Sequence, residues 1–170
     1  KALDQLRRAG DIKAIGIGVN EIDVSMRALD HGAWDVFLLA GRYTLLEQDS
    51  LDELLPKCAA QSVRIVIGGP FNSGILVGGT TWNYETAPAE IVDRARRLNE
   101  VCAAHNVPLP AAALKFPLAH ASVASVIPGV RTPKEFSQMM AWWQTDIPAS
   151  LWTDLKSAGL IREDAPLPQS

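Results

Sequence analysis

The residues best suited by type and spacing to bind an anion are Gly69-Pro70-Phe71-Asn72-Ser73-Gly74. The glycines free the backbone to turn its N–H groups towards one point, and the short polar side chains leave room for a pyrophosphate. No Gly-Lys-Ser/Thr follows, so this is not a P-loop, and the G-x-G-x-x-G spacing is absent. A turn that needs its glycines for geometry alone explains the same residues. A second candidate is Pro128-Gly129-Val130-Arg131-Thr132-Pro133, where an apolar run meets a helix start. Unpaired N–H groups and the helix dipole favour a phosphate there, with Arg131 at the mouth. Taken alone, the site reads first as an exposed, solvated Arg beside an ordinary capped helix. The two candidates together resemble the paired βα loops on which barrels hold phosphate groups.

Acid–base candidates are weaker. His31 and His105 fall at helix ends, where a cation beside the C-terminal dipole is the usual meaning. His120 lies near the start of an apolar run and is expected to be structural. Tyr43 is better placed for a substrate, but no Lys or His is near it in sequence to tune it. Trp82 and Tyr84 share a long Gly- and Thr-rich segment, where they would cover a substrate or pin the loop. Trp34, Trp142, Trp143 and Trp152 fall in helical patterns and are expected to pack. No Ser/His/Asp or Cys/His constellation and no metal-ligand spacing can be assembled.

These residues sit at the ends of short apolar runs: Ile12 to Val19, Asp35 to Ala40, Val63 to Ile67 and Ser122 to Ile127. Runs that are apolar throughout and alternate with helical patterns predict parallel strands covered on both faces. Helices are expected from Glu21 to Leu29, from a Ser50 N-cap with Glu53 completing a capping box, from Pro88 to about His105, from Ala111 to Leu118, from Lys134 to Trp142, and from Pro148 to Ala158. Gly69 to Tyr84 is expected to be irregular. The tail from Glu163 to Ser170 is expected to be extended. Four βα units make half of an eightfold barrel or a small open sheet, and periodicity does not separate the two. In either, the ligand lies beyond the carboxyl ends of the strands.

With 170 residues, 48% hydrophobic, 21% charged and a formal charge of -3, the composition is that of a soluble domain without the basic excess that nucleic acid or acidic lipid requires. No apolar run reaches the ~20 residues of a membrane span. Cys58 and Cys102 lie in helical patterns, which points to reduced buried thiols and a cytoplasmic setting. The first residue is Lys1, and Ala2 to Arg8 has the pattern of the last turns of a helix, so the chain is expected to begin inside an element.

Ile12 to Asn20, Ala40 to Gln48, Gly69 to Leu76 and Ser125 to Gly129 with Arg131, taken in order, resemble the aldo-keto reductase superfamily. The likeness lies with its sugar-oxidising branch, the D-threo-aldose 1-dehydrogenase (L-fucose dehydrogenase) and pyridoxal 4-dehydrogenase group. The resemblance implies an α/β fold, a (β/α)8 TIM barrel, with residues 1–170 as its C-terminal half: strands five to eight, their helices and two extra helices. It implies an NAD(P)-dependent oxidoreductase acting by direct hydride transfer on a sugar or small alcohol, without a metal. The catalytic Tyr, Asp, Lys and His of the family would lie in the N-terminal half, which is absent here. Asn20 would bind the nicotinamide carboxamide, the Gly69-to-Gly74 loop with Asn72-Ser73 the pyrophosphate, and Pro128, Gly129, Arg131, Glu135 and Gln138 the adenosine side. Tyr43, Trp82 and Tyr84 are the substrate-side candidates.

Ala40 stands where the family commonly has a carboxamide-binding Gln, and Gly68 where an aromatic often stacks on nicotinamide. Glu135 would repel a 2′-phosphate, which favours NAD over NADP. A non-catalytic cofactor-binding subunit and an inactive half-barrel fragment remain as alternatives, the latter with edge strands that invite self-pairing into a homo-oligomer.

Overall fold

The computed structural model describes residues 1–169 of the chain. In order, its elements are α1 (Ala2–Ala9), β1 (Gly16–Val19), α2 (Ile22–Leu29), β2 (Val36–Ala40), α3 (Leu54–Ala60), β3 (Arg64–Gly68), β4 (Thr81–Trp82), β5 (Glu85–Thr86), α4 (Ala89–Ala104), α5 (Leu109–Lys115), β6 (Val123–Ile127), α6 (Pro133–Gln144) and α7 (Ala149–Ser157). The strands β1, β2, β3 and β6 form one sheet in that order, parallel throughout. Each crossover therefore lays the next strand beside the last, as right-handed βα units do.

Alternation along the strands sends Phe37, Leu39, Ile65 and Ile67, all fully buried, against the helices. There they meet a core that includes Leu54, Leu55 and Cys58 of α3, Leu98 and Cys102 of α4, and Leu151 and Trp152 of α7. The other sheet face carries Leu38 at 37% exposure and Ile127 at 51%. It is apolar and open. Close approach of β1 to β2 requires Gly16, because a Cβ there would sit 1.8 Å from the Val36 carbonyl oxygen.

Asp35 ties α1 to the sheet. Its carboxylate accepts from Arg7 Nη1 at 2.6 Å and from the Ile15 N–H at 2.7 Å, and these bonds hold it below the ordinary carboxylate range, the Ile15 bond contributing most. They also explain why β1 is shorter than the apolar run from Ile12: the Ile15 N–H is spent on a side chain, and ladder pairing starts only at Gly16.

Three other expectations are corrected. Ser50 caps no α-helix; it lies in a 3-10 turn, Asp49–Leu51, and its hydroxyl donates to the Arg42 carbonyl at 2.8 Å, so α3 begins only at Leu54. The Gly- and Thr-rich segment is not irregular but holds a 3-10 stretch, Asn72–Val77, and the β4–β5 hairpin. Trp143 is 42% exposed rather than packed. The tail folds back enough to bury Ala165, while Ser170 lies outside the described residues. Elsewhere the caps follow the sequence: Thr132 Oγ1 accepts from the Glu135 N–H at 3.1 Å, and Pro133 opens α6.

Cys58 and Cys102 are free and fully buried. Burial pushes their thiols up to about 11 and about 12 respectively, from 9.0. Because the folded chain favours the neutral thiol, these groups subtract stability only as pH rises above the unfolded value of 9.0. At pH 8 a thiol reagent is expected to label neither cysteine until denaturant unfolds the chain; rapid labelling of either in the native state would contradict this burial.

Candidate functional site

The loops after β1, β2 and β3 converge on a cleft of about 30 Å³ bordered by Asn20, Gly41, Arg42, Glu47, Asn72 and Ser73. That is room for one functional group of a ligand rather than a whole one. The loop after β2 is held rigid by Thr44, fully buried, whose Oγ1 accepts from the Leu46 and Glu47 N–H groups at 3.2 and 3.0 Å. Leu45 and Leu46 anchor it in the core. Glu47 is thereby fixed at the cleft.

The Glu47 carboxylate joins three loops. Its Oε2 accepts from Arg42 Nη1 at 2.9 Å, and its Oε1 accepts from Asn72 Nδ2 and from Trp82 Nε1, both at 2.8 Å. Arg42 extends the network, donating through Nε to the Asn20 carbonyl at 3.1 Å and through Nη2 to Asn83 Oδ1 at 2.7 Å. Side-chain exposure of 22% for Arg42 and 17% for Glu47 leaves the pair largely shielded from solvent. Asn72 Nδ2 also donates to the Gly41 carbonyl at 3.1 Å.

Backbone strain gathers here as well. Among the described residues, four of the six non-glycine residues with positive φ, Asn72, Ser73, Asn83 and Tyr84, line this cleft. Asn83 (φ 53) and Tyr84 (φ 68) make the β4–β5 turn, whose two left-handed residues suit a tight hairpin but not a Tyr side chain. The Tyr84 N–H donates to Ser73 Oγ at 3.1 Å, fastening the hairpin to the loop after β3. In that loop Phe71 is near the right-handed region and Asn72 and Ser73 are in the left-handed one; the Asn72 and Gly74 N–H groups are spent on the Gly69 and Phe71 carbonyls, both at 3.0 Å, so an anion there would be met by the Ser73 N–H and hydroxyl. Strain concentrated in this way is characteristic of functional sites.

Of the residues singled out from the sequence, Asn20, Gly69, Asn72, Ser73 and Tyr84 come together at the cleft. Gly74 follows them with φ 105. Pro70 is buried, and Phe71 turns its ring edge-on to Trp142 at 5.9 Å. Trp82 pins the hairpin through Glu47. Tyr43 is a correction: it has no exposed surface, packs against Phe116 and His120, and cannot meet a substrate. Burial raises its phenol above the ordinary range.

Pro128, Gly129, Arg131, Glu135 and Gln138 lie on the β6–α6 loop and helix, outside the cleft lining. Two N–H groups at this helix start are spent: Thr132 takes the Glu135 N–H and Glu135 Oε2 takes the Arg131 N–H at 2.7 Å, while Pro133 has none. The 90%-exposed Arg131 guanidinium stands 3.8 Å from Glu135.

His105 and His120 are structural. His105 Nε2 lies 2.7 Å from Asp154, and His120, lowered by burial, accepts from the Ser122 N–H through Nδ1 at 3.1 Å. Among the described residues no His/Cys/Asp/Glu cluster could hold a metal, and no helix is long and apolar enough to cross a membrane.

The aldo/keto reductase family model matches residues 1–159. The chain belongs to the aldo/keto reductase family. It is 46% identical over 165 residues to pyridoxal 4-dehydrogenase of Microbacterium luteolum, covering 95% of this chain and 48% of that protein. It is 42% identical to D-threo-aldose 1-dehydrogenase of a Pseudomonas species, covering 94% and 50%. The chain thus spans about half the length of these relatives. In fold it is similar to aldo-keto reductase AKR11C1 from Bacillus halodurans (holo form), with a TM-score of 0.69 at 21% identity over 99% of this chain and 56% of that one. Glycerol dehydrogenase AKR11B4 from Gluconobacter oxydans gives 0.67 at 14% identity, over 99% and 54%.

Within this aldo/keto reductase fold, sequence reasoning missed Glu47 and Asn83 and gave Arg42 no role. The available signal was an Arg and a Glu five apart in a loop directly after a strand. The structure also gives Gly68 a packing reason: a Cβ there would meet Leu38 Cδ2 at 3.1 Å, so an aromatic side chain would require Leu38 to move.

Removing the carboxylate in Glu47→Ala takes away the acceptor for three donors. The expected loss is about 2–3 kcal/mol of stability, measured by urea denaturation and accompanied by a change in tryptophan emission as Trp82 is released. A loss below about 0.5 kcal/mol would be that of an ordinary surface substitution and would contradict the network.

Proposed function

We propose that this chain carries the nicotinamide-cofactor side of an NAD(P)-dependent oxidoreductase that transfers hydride to or from a sugar, such as an aldose like L-fucose, or a small alcohol or aldehyde. The observation that carries the reading is the strained Phe71-Asn72-Ser73-Gly74 loop at the carboxyl end of β3, the place where barrels hold phosphate groups, with Ser73 bordering the cleft. The names of the two relatives, a pyridoxal and an aldose dehydrogenase, support the substrate class.

The residues present fit such a cofactor in part. Ser73 and the loop backbone face the cleft and would hold the diphosphate, with Asn20 beside them at the end of β1. When bound, the nicotinamide would supply the hydride chemistry. Of the titratable groups of the cleft, Arg42 and Glu47 are paired with each other, so neither is assigned proton transfer. Glu135, although engaged in capping α6, keeps a negative charge at the β6–α6 loop and favours NAD over NADP there. Two buried free thiols fit a cytoplasmic protein.

Titrating the chain with NADH and NADPH while following tryptophan fluorescence tests the reading. Quenching that saturates, with NADH binding more tightly, is expected. Tighter NADPH binding would remove the role given to Glu135, and no response to either would remove the cofactor reading.

A further inference from the structure

Asn72 poses a hydrogen-bonding problem that its own surroundings resolve in one direction. Its side-chain nitrogen faces two fixed acceptors, the Gly41 carbonyl at 3.1 Å and Glu47 Oε1 at 2.8 Å. A carboxamide carries donors on one atom and acceptors on the other, and turning it over would bring oxygen against oxygen at both contacts. The amide is therefore locked with Nδ2 towards Glu47. Its Oδ1 is buried, with no hydrogen-bond donor among the described residues, and the whole residue is 4% exposed while bordering the cleft. A buried acceptor without a donor is costly, and such groups in native structures call for an explanation.

The lock is set from outside Asn72. Arg42 holds the Glu47 carboxylate through Oε2, so that Oε1 points at Asn72 and Trp82 and accepts from both. The consequence for recognition is specific. An acceptor cannot hydrogen-bond a phosphate oxygen, which is itself an acceptor, so the Asn72 side chain is the wrong partner for the diphosphate that the neighbouring backbone suits.

We propose that Asn72 Oδ1 accepts a hydrogen bond from a hydroxyl or amide N–H of the bound ligand, and that Glu47 is the positioning residue that presents it in that sense. The proposal rests on the cleft being the ligand site proposed above. It narrows the ligand's chemistry: the group entering beside Asn72 is a donor. A ribose hydroxyl or carboxamide of the cofactor and a hydroxyl of a sugar substrate share that property.

The test is calorimetric titration of the 170-residue chain and two variants with NADH, inorganic pyrophosphate and L-fucose. Asn72→Gly removes the amide while tolerating the left-handed backbone; Glu47→Gln keeps the shape but removes one of the two acceptors that lock the Asn72 amide, the Gly41 carbonyl remaining. NADH binding is expected to weaken about 5- to 10-fold in both. Pyrophosphate binding should stay within about two-fold in Asn72→Gly and should not weaken in Glu47→Gln, because neither change removes a donor to phosphate.

If the wild-type chain binds L-fucose but not NADH, and Asn72→Gly weakens the sugar, the cofactor reading fails while the donor assignment stands with the sugar as its source. Unchanged NADH affinity in both variants overturns the proposal. Pyrophosphate weakened as much as NADH by Asn72→Gly also overturns it, as does a wild-type chain that binds none of the three probes.

Discussion

One carboxylate holds the ligand end of this chain together. Glu47 accepts from Arg42, Asn72 and Trp82, and Arg42 carries the connection onward to Asn20 and Asn83. Loops from the ends of three strands and the turn of a hairpin thereby become one structure around one cleft. The bonds are charge-assisted and mostly shielded, the setting in which such interactions contribute most and in which losing one partner does most harm.

The network also accounts for where strain is tolerated. A Tyr in the left-handed region at the tip of a two-residue turn is unfavourable by itself, as are successive left-handed residues at Asn72 and Ser73. Both persist because neighbours over-determine them. Asn83 is held by Arg42, Tyr84 by Ser73, and Asn72 by Glu47 and Gly41. Beneath the cleft, the layer of Phe37, Leu39, Ile65 and Ile67 under the helices gives the strand ends a rigid base, so small loop distortions stay local.

Much of the scaffold was legible in the residues. Continuous apolar runs marked the four parallel strands, Pro88 and Pro133 marked helix starts, and Thr132 announced its cap, because these features depend on local chemistry. The loop after β3 was legible as an anion candidate for the same reason. What could not be seen was set by tertiary partners: the truncation of β1 by Asp35, the diversion of Ser50 to the Arg42 carbonyl, the burial of Tyr43, and the pairing of Arg42 with Glu47. The β4–β5 hairpin was hidden because its turn uses Asn83-Tyr84 where Asn-Gly is the usual signal. The N-terminus of α6 shows the reverse case: the capping residues were legible, but not that Glu135 would take the Arg131 N–H.

The central claim is that the Glu47-centred loops form the ligand site. Amide hydrogen exchange of the chain with and without saturating NADH tests it directly. The account predicts slower exchange confined to residues 41–47, 69–74 and 81–86, with the helices unchanged. Protection confined to α6 or the open sheet face, or no protection anywhere at saturation, would contradict it.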